Sequence, residues 1–339
     1  MVTPAGGKIS GSATAIVVKY RLNLLGFQLG ITNPLSCDAV MSNNHAKVAL
    51  SRRDFLVFSG GCAALAGLGA PALAEAQSSL HYQVNAYIQS LRRSGRIPRD
   101  ERTAWSVYDF TTGTKLVAIN EERPLQAASM LKPFVAQAYF YRHIADRQGF
   151  PYTNGVRQRM TAMIRDSCNS ETNYFITRAG GSPGGLQRLL QQRAGGVFQQ
   201  TRIVEYIPQS GRTYRNQASA RDYSRYLFAT WNERMPMSKE VLHYMGLPNG
   251  NRIVRGATGI PSGTKLYHKT GSTARLCGDM GIVVAQGRNG RPYPYTFIGI
   301  IDKSQRTNQY TSWIRDRGNV LREVSSLVYA FMKQRHNLV

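Results

Sequence analysis

Ser129 and Lys132, three apart in "LQAASMLKPFVAQAYF" (residues 125–140), are of types that can do nucleophilic chemistry. A serine hydroxyl attacks poorly until a base takes its proton, and a lysine is that base only where its own proton is easily lost. On a helix, side chains at i and i+3 share a face, so the two can meet. Leu131, Phe134, Val135 and Ala138 form one apolar stripe of a helix that the spacing starts near Ala127 or Ala128. Ser129 then lies in the first turn, where unpaired N–H groups and the positive dipole end favour negative charge on its oxygen or on a bound oxyanion. The same field disfavours a charged Lys132. Pro133 cannot donate to the Ser129 carbonyl, which is tolerable only near a helix start. The alternative is a capping serine beside an ordinary lysine. The spacing recurs at Ser262 and Lys265, where Pro261, Gly263 and the alternating run "TKLYHKT" indicate a turn and a strand.

Two further motifs follow in order: Ser167-Cys168-Asn169 after an apolar helical stretch, and Lys269-Thr270-Gly271-Ser272 at the end of a strand. Together the three resemble the penicillin-recognising serine acyltransferases, the superfamily of class A β-lactamases and penicillin-binding D-Ala-D-Ala peptidases. The resemblance runs from about Ser78 to the C-terminus. It implies that Ser129 is the acylated nucleophile and Lys132 its proton acceptor. Ser167 would pass a proton to the leaving nitrogen, with Lys269 holding charge beside it. Asn169 would bond the amide side chain of the substrate, Thr270 and Ser272 its carboxylate, and the N–H groups of Ser129 and Ser272 would form the oxyanion hole. Gly271 would let the ligand approach the strand closely.

Class A β-lactamases carry a loop glutamate that activates the hydrolytic water; carboxypeptidases of the group lack it. Glu205, 38 residues after Ser167 and 64 before Lys269, is the candidate. Arg202 and Arg215-Asn216 resemble the loop-closing elements of the family. Tyr-Ile-Pro-Gln follows Glu205 in place of Glu-x-x-Leu-Asn, leaving Gln209 as the nearest substitute for the water-holding asparagine. The alternative for Glu205 is a loop glutamate paired with a nearby arginine. Arg275 is either a further partner for the substrate carboxylate or an exposed turn arginine.

These residues need a scaffold. "WSVYDFTTGTKLVAI" reads as a hairpin with a Thr-Gly turn, "CGDMGIVVA" and "YPYTFIGIID" as strands, and residues 309–334 as a long terminal helix. Further helices are predicted near 79–93, 155–165, 171–178, 183–193, 220–231 and 238–246. The expected architecture is α/β in the α+β sense, with two lobes: an antiparallel sheet flanked by terminal helices and built from both chain ends, plus an inserted all-helical lobe. The site lies in the cleft between them.

Ahead of this domain, "SRRDFLVFSGGCAALAGLGAPALAEA" carries Arg52-Arg53 and then a Gly- and Ala-rich apolar run. It resembles a twin-arginine export signal spanning 41–76, with cleavage after Ala74 or Ala76 and residues 1–40 as an upstream extension. The remaining 77–339 would be a single exported, periplasmic catalytic domain, expected as a monomer and without a membrane span. Cys168 and Cys277 then remain; an oxidising compartment would allow them to pair, and the reading favoured is two separate buried thiols. The 339 residues carry a net charge of +24. That charge favours anionic envelope partners; nucleic acid is not expected without a recognition motif. No metal-ligand cluster is visible and no cofactor is needed. Three functions remain open: a β-lactamase, a D-Ala-D-Ala carboxypeptidase or endopeptidase acting on peptidoglycan stem peptides, and a non-hydrolytic β-lactam sensor.

Overall fold

A computed structural model describes residues 70–339, with side chains from Ser79 onward; the arginine pair at 52–53 and the 1–40 extension lie outside the described residues. Helix α1 (Ala70–Arg93) leads into β1 (Glu101–Asp109) and β2 (Thr114–Ile119). After β3 (Leu125–Gln126) and a 3-10 turn (Ala128–Leu131) come α2 (Lys132–Ala145), α3 (Asn154–Ile164), α4 (Asn169–Gly180) and α5 (Pro183–Ala194). Then follow β4 (Gln217–Ala218), α6 (Ala220–Trp231), α7 (Ser238–Met245), β5 (Lys265–Thr273), β6 (Leu276–Gln286), β7 (Pro292–Lys303) and α8 (Tyr310–His336). The predicted helices and strands are present within a few residues of their expected bounds, except that α1 begins at Ala70, nine residues before the expected start at 79.

The sheet is antiparallel in the order β2-β1-β7-β6-β5, so β1 from one chain end pairs with β7 from the other. Period-two alternation divides its side chains between two cores. Val283, Ala285, Phe297 and Ile301 face Leu80, Val84 and Ile88 of α1 and Val320, Leu321 and Val324 of α8. Met280, Ile282, Ile298 and Ile300 face the other way, towards Leu131, Phe134 and the helical lobe. Because β6 is covered on both faces, its first ten residues are all buried and its sequence is almost continuously apolar.

Local signals set the helix starts. Thr153, Ser182 and Ser219 accept from Val156, Gly185 and Asp222 N–H groups at the heads of α3, α5 and α6, and Pro183 occupies the first turn of α5. Inside the helical lobe, Phe134 meets Tyr226, Phe198 and Tyr223 at ring distances of 4.8, 4.9 and 5.2 Å. Each such pair adds about 0.5–1.5 kcal/mol beyond area burial. The Tyr226 hydroxyl donates to the Pro133 carbonyl at 2.9 Å. The helix that begins at Lys132 is therefore held rigidly from below. Among the described residues, no helix is long and apolar enough to cross a membrane.

Candidate active site

Ser129 sits on a 3-10 turn, one element earlier than the α-helix that the apolar stripe defines; α2 itself begins at Lys132. The preceding Ala128 has φ 45°, a left-handed conformation that costs a non-glycine residue energy and recurs at functional turns. Ser129 is half-buried, while Met130 and Leu131 are fully buried. Met130 lies in a notch formed by Gly271 on β5 and its cross-strand partner Gly278 on β6. A Cβ at 271 would stand 3.0 Å from Met130 Cγ and 3.3 Å from Ala128 Cβ, and one at 278 would stand 2.9 Å from Met130 Cε. Close packing of the nucleophile's turn on the sheet thus gives Gly271 a structural reason that the ligand-approach expectation did not contain.

Lys132 is 0% exposed. Burial first, then the charge of Lys269, lowers its pKa to about 6. Its Nζ donates to the Ser167 carbonyl and to Asn169 Oδ1 (2.9 Å) and lies 3.3 Å from Ser167 Oγ. Among the described residues, no hydrogen bond joins the side chains of Ser129 and Lys132. Ser167, two residues before α4, has a left-handed backbone φ of 60°. Lys269, 1% exposed, approaches the same Ser167 Oγ at 3.2 Å and the Thr270 carbonyl at 3.3 Å. Burial, chiefly, lowers its pKa to about 8, partly offset by Asp279. The first, second and third motifs therefore converge on one hydroxyl.

β5 is the edge strand of the sheet, so alternate backbone groups along Lys269-Thr270-Gly271-Ser272 point away from β6. Behind the strand stands Arg252, which sequence reading did not single out. Its guanidinium donates to Ser272 Oγ (2.7 Å), the Gly278 carbonyl (2.9 Å) and the Gly271 carbonyl (3.3 Å). Its own N–H is held by Asp279 Oδ2 at 2.8 Å, and Asp279 Oδ1 contacts His268 Nδ1 at 3.0 Å. Arg275 is placed differently: its Nε donates to the Lys303 carbonyl (3.2 Å) and its guanidinium lies 5.3 Å from the Tyr214 ring centroid. No sequence pattern marks Arg252, because its loop lies 17 residues before Lys269 and only the fold brings it to Ser272.

Glu205 is bound by its own loop. Oε1 accepts from Thr213 Oγ1 (2.7 Å), Tyr214 N (2.8 Å) and Arg215 N (2.9 Å), and Oε2 accepts from Arg215 Nε (2.8 Å). Burial alone would raise its pKa; the bonds from Arg215, Thr213 and Tyr214 outweigh it and hold the carboxylate at about 2. A water-activating base needs an appreciable affinity for a proton, which these four bonds lower, although Oε2, with its one bond, keeps a lone pair. The geometry matches the alternative of an arginine-paired loop residue. Asn216 closes the loop through Val204 N, Glu205 N and the Glu205 carbonyl, while Arg202 joins by backbone bonds to Gln217. Gln209 is exposed. Asn169 Nδ2, expected to meet a substrate amide, donates to the Pro208 carbonyl at 3.3 Å.

Cys168 and Cys277 are both free thiols, Cys277 buried. Cys168 is half-exposed, against the expected burial, because it occupies the N-cap of α4 with Sγ 3.1 Å from Ser170 Oγ.

Residues 148–329, a little over half of the chain, match the family model described as the β-lactamase enzyme family. The match includes Ser167 and Lys269 and begins after Lys132. No curated protein matches the sequence. Among solved structures, the chain is similar to PBP-A, as a point mutant in an acyl-enzyme complex with penicillin G, at 18% identity and TM-score 0.59; the alignment covers 76% of this chain and 97% of that one. It is similar to a β-lactamase from Streptosporangium roseum at 13% identity and TM-score 0.59, over 76% and 99% of the two chains. A class A β-lactamase representative from Bacteroides cellulosilyticus aligns at 16% identity and TM-score 0.58, over 75% and 99%. At these identities the likeness shows the fold. Family match and fold together make this a β-lactamase-like serine hydrolase, and the chain belongs to the β-lactamase enzyme family.

Proposed function

We propose that the protein is acylated on Ser129 by amides that carry a neighbouring carboxylate, and that its β-lactam adducts are long-lived. The chief support is the convergence of Lys132 and Lys269 on Ser167 Oγ. A neutral Lys132 has two N–H groups and one lone pair. The Ser167 carbonyl and Asn169 Oδ1 take the two N–H groups, which leaves the lone pair for a serine proton. Near pH 7 Lys132 is mostly neutral and Lys269 mostly charged. Ser129 gives its proton to Lys132 as it attacks. Ser167, fed by Lys269 on one side and Lys132 on the other, delivers a proton to the leaving nitrogen. Arg252 presents Ser272, together with Thr270, to the carboxylate. Arg275, engaged at Lys303 and Tyr214, has no part in this reading.

The pairing of Glu205 with Arg215 and its lowered proton affinity support slow deacylation, the behaviour of the penicillin-binding peptidases. Their substrates, D-Ala-D-Ala stems of peptidoglycan, are the physiological class favoured here. A point mutant of PBP-A, a neighbour in fold, has been captured as an acyl-enzyme with penicillin G, which supports an adduct of the same kind here. A fluorescent penicillin should label the protein, and folded Ser129→Ala should not be labelled; labelling of that variant would remove the nucleophile. Intact-protein mass spectrometry should find the penicilloyl adduct persisting well after free ligand is removed. Rapid turnover of nitrocefin would establish a β-lactamase instead. The Arg52-Arg53 pair supports export of the folded protein to the periplasm. Arg52→Lys with Arg53→Lys should leave the protein in the cytoplasm, and undiminished periplasmic protein would refute that route.

A further inference from the structure

Helix α4 begins at the site and leads away from it. Asn169 is its first residue, and Ser170, Tyr174, Thr177, Arg178 and the C-cap Gly181 are exposed at positions that share one helix face. On one side of this stripe stands the loop residue Tyr206, 41% exposed. Its hydroxyl lies 3.2 Å from Thr177 Oγ1 and donates to the Gly181 carbonyl at 3.4 Å, so the ring is fixed while its surface meets water. On the other side α3 supplies Arg159, which donates to Glu171 Oε2 at 2.8 Å and holds its guanidinium 4.5 Å from the ring centroid of Tyr174, itself 38% exposed. Further along, Arg178 and Arg142 lie 4.2 and 6.0 Å from the centroid of one ring, Phe150, and donate to the Gly149 and Ala179 carbonyls. Among the described residues neither has a carboxylate partner, and a guanidinium with five N–H donors keeps several for a ligand.

We propose that this face of α4 is a docking platform for the glycan strand of peptidoglycan, so that the enzyme acts on stems joined to polymer in preference to free stem peptides. The inference rests on the acylation reading above and names its substrate more narrowly. The family resemblance puts the amide on the acyl side of the scissile bond at Asn169, so the stem continues towards its sugar from the head of α4. A stem of about five residues spans at most about 17 Å when extended. Tyr174 to Arg178 lie about 8 to 14 Å along the helix axis from Asn169. The sugar that carries the stem therefore reaches the tyrosines while the D-alanine end occupies the cleft. A pyranose presents a face of C–H bonds that packs by dispersion on an aromatic ring, and the carboxylates of the stem complement Arg178 and Arg142. An anionic membrane or polyanion would need the guanidinium groups alone. Anchored, exposed rings, beside an Arg159 already neutralised by Glu171, favour the sugar polymer.

The test sediments the full chain carrying Ser129→Ala with purified peptidoglycan sacculi stripped of attached protein and anionic polymers, so that binding is read without acylation. Tyr174→Ala and Tyr206→Ala should each weaken binding by about tenfold, the scale of an interface contact, and Arg178→Gln by less. Tyr174→Phe, which keeps the ring, should bind as the parent does. In chains that retain Ser129, penicillin G should label these variants at the parent rate, which also shows that they fold. Their D-alanine release should fall with sacculi as substrate and stay level with a free stem peptide. A parent that does not sediment, or unchanged binding in folded Tyr174→Ala and Tyr206→Ala, overturns the proposal. So does binding that high salt abolishes and the rings do not affect, which would mark a polyanion site, and so does equal, ring-dependent capture by anionic phospholipid vesicles, which would mark a membrane site. If penicillin G fails to label wild type while ring-dependent sedimentation persists, the acylation reading fails and the platform stands.

Discussion

At the residue scale the site is two buried lysines with different proton affinities around one serine. Acylation needs Lys132 neutral and Lys269 charged, so its rate should rise as Lys132 loses its proton near pH 6 and fall as Lys269 loses its own near pH 8. A bell-shaped profile of kcat/KM for penicillin labelling checks this; a profile flat from pH 5 to 9 contradicts it. Asp279 is the negative charge that raises Lys269, against Arg252, which lowers it. Asp279→Asn should therefore move the alkaline limb to lower pH and leave the acid limb in place. Ser129, Lys132, Ser167 and Lys269 were legible in sequence because their types and order are themselves the signal. Arg252, His268 and Asp279 were not, since a hydrogen-bond network of this kind is defined by which strands pair. Glu205 was legible only as a position; which groups bind its oxygens depends on a loop closure that no spacing encodes.

At the element scale, what the chain must achieve is a fixed seat for the 3-10 turn that carries Ser129. The Gly271–Gly278 pair provides it by accepting Met130. Gly271→Ala would press a methyl group onto Met130 Cγ and Ala128 Cβ, atoms close to the backbone of the turn. The overpacking should cost about 1–3 kcal/mol of stability. It should lower the acylation rate more than it changes ligand affinity, because the nucleophile is displaced while Arg252 is not. Adding Met130→Ala to Gly271→Ala should recover part of the lost rate, a coupling that a double-mutant cycle measures. Additive effects of the two substitutions would remove the notch as the cause. Helices and strands were readable here because period 3.6 and period 2 stay clean over long stretches. The two-residue ladder β3–β4 was invisible, being too short to carry a period. The start near Ala128 was expected, but not its 3-10 form, since the positive φ there has no glycine to announce it.

At the scale of the whole molecule, the fold buries lysines of lowered proton affinity inside a strongly cationic protein. Both chain ends contribute to the sheet, and the apolar runs that announce this are long enough to be recognised without a structure. The inserted lobe follows, because what lies between must return to the same edge. The consequence for stability has a definite sign. Lys132 and Lys269 have folded pKa values of about 6 and 8, and burial also lowers Lys115, whereas an unfolded lysine holds its proton to about pH 10. Between these limits the unfolded state binds more protons, so unfolding free energy rises with pH, by up to about 1.4 kcal/mol per pH unit for each fully discharged lysine. Self-repulsion acts in the same direction, since a chain of net charge +24 and pI near 10.3 sheds positive charge as pH rises. Tm should therefore climb from pH 6 to about pH 9, past the neutral optimum usual for proteins. Lys132→Met should flatten the climb and raise Tm near pH 6, where burying an ammonium costs most, while abolishing acylation. Differential scanning calorimetry at fixed ionic strength decides it: a Tm that is level or falling from pH 6 to 9 would mean that these lysines stay charged inside the folded protein, and that Lys132 is no base.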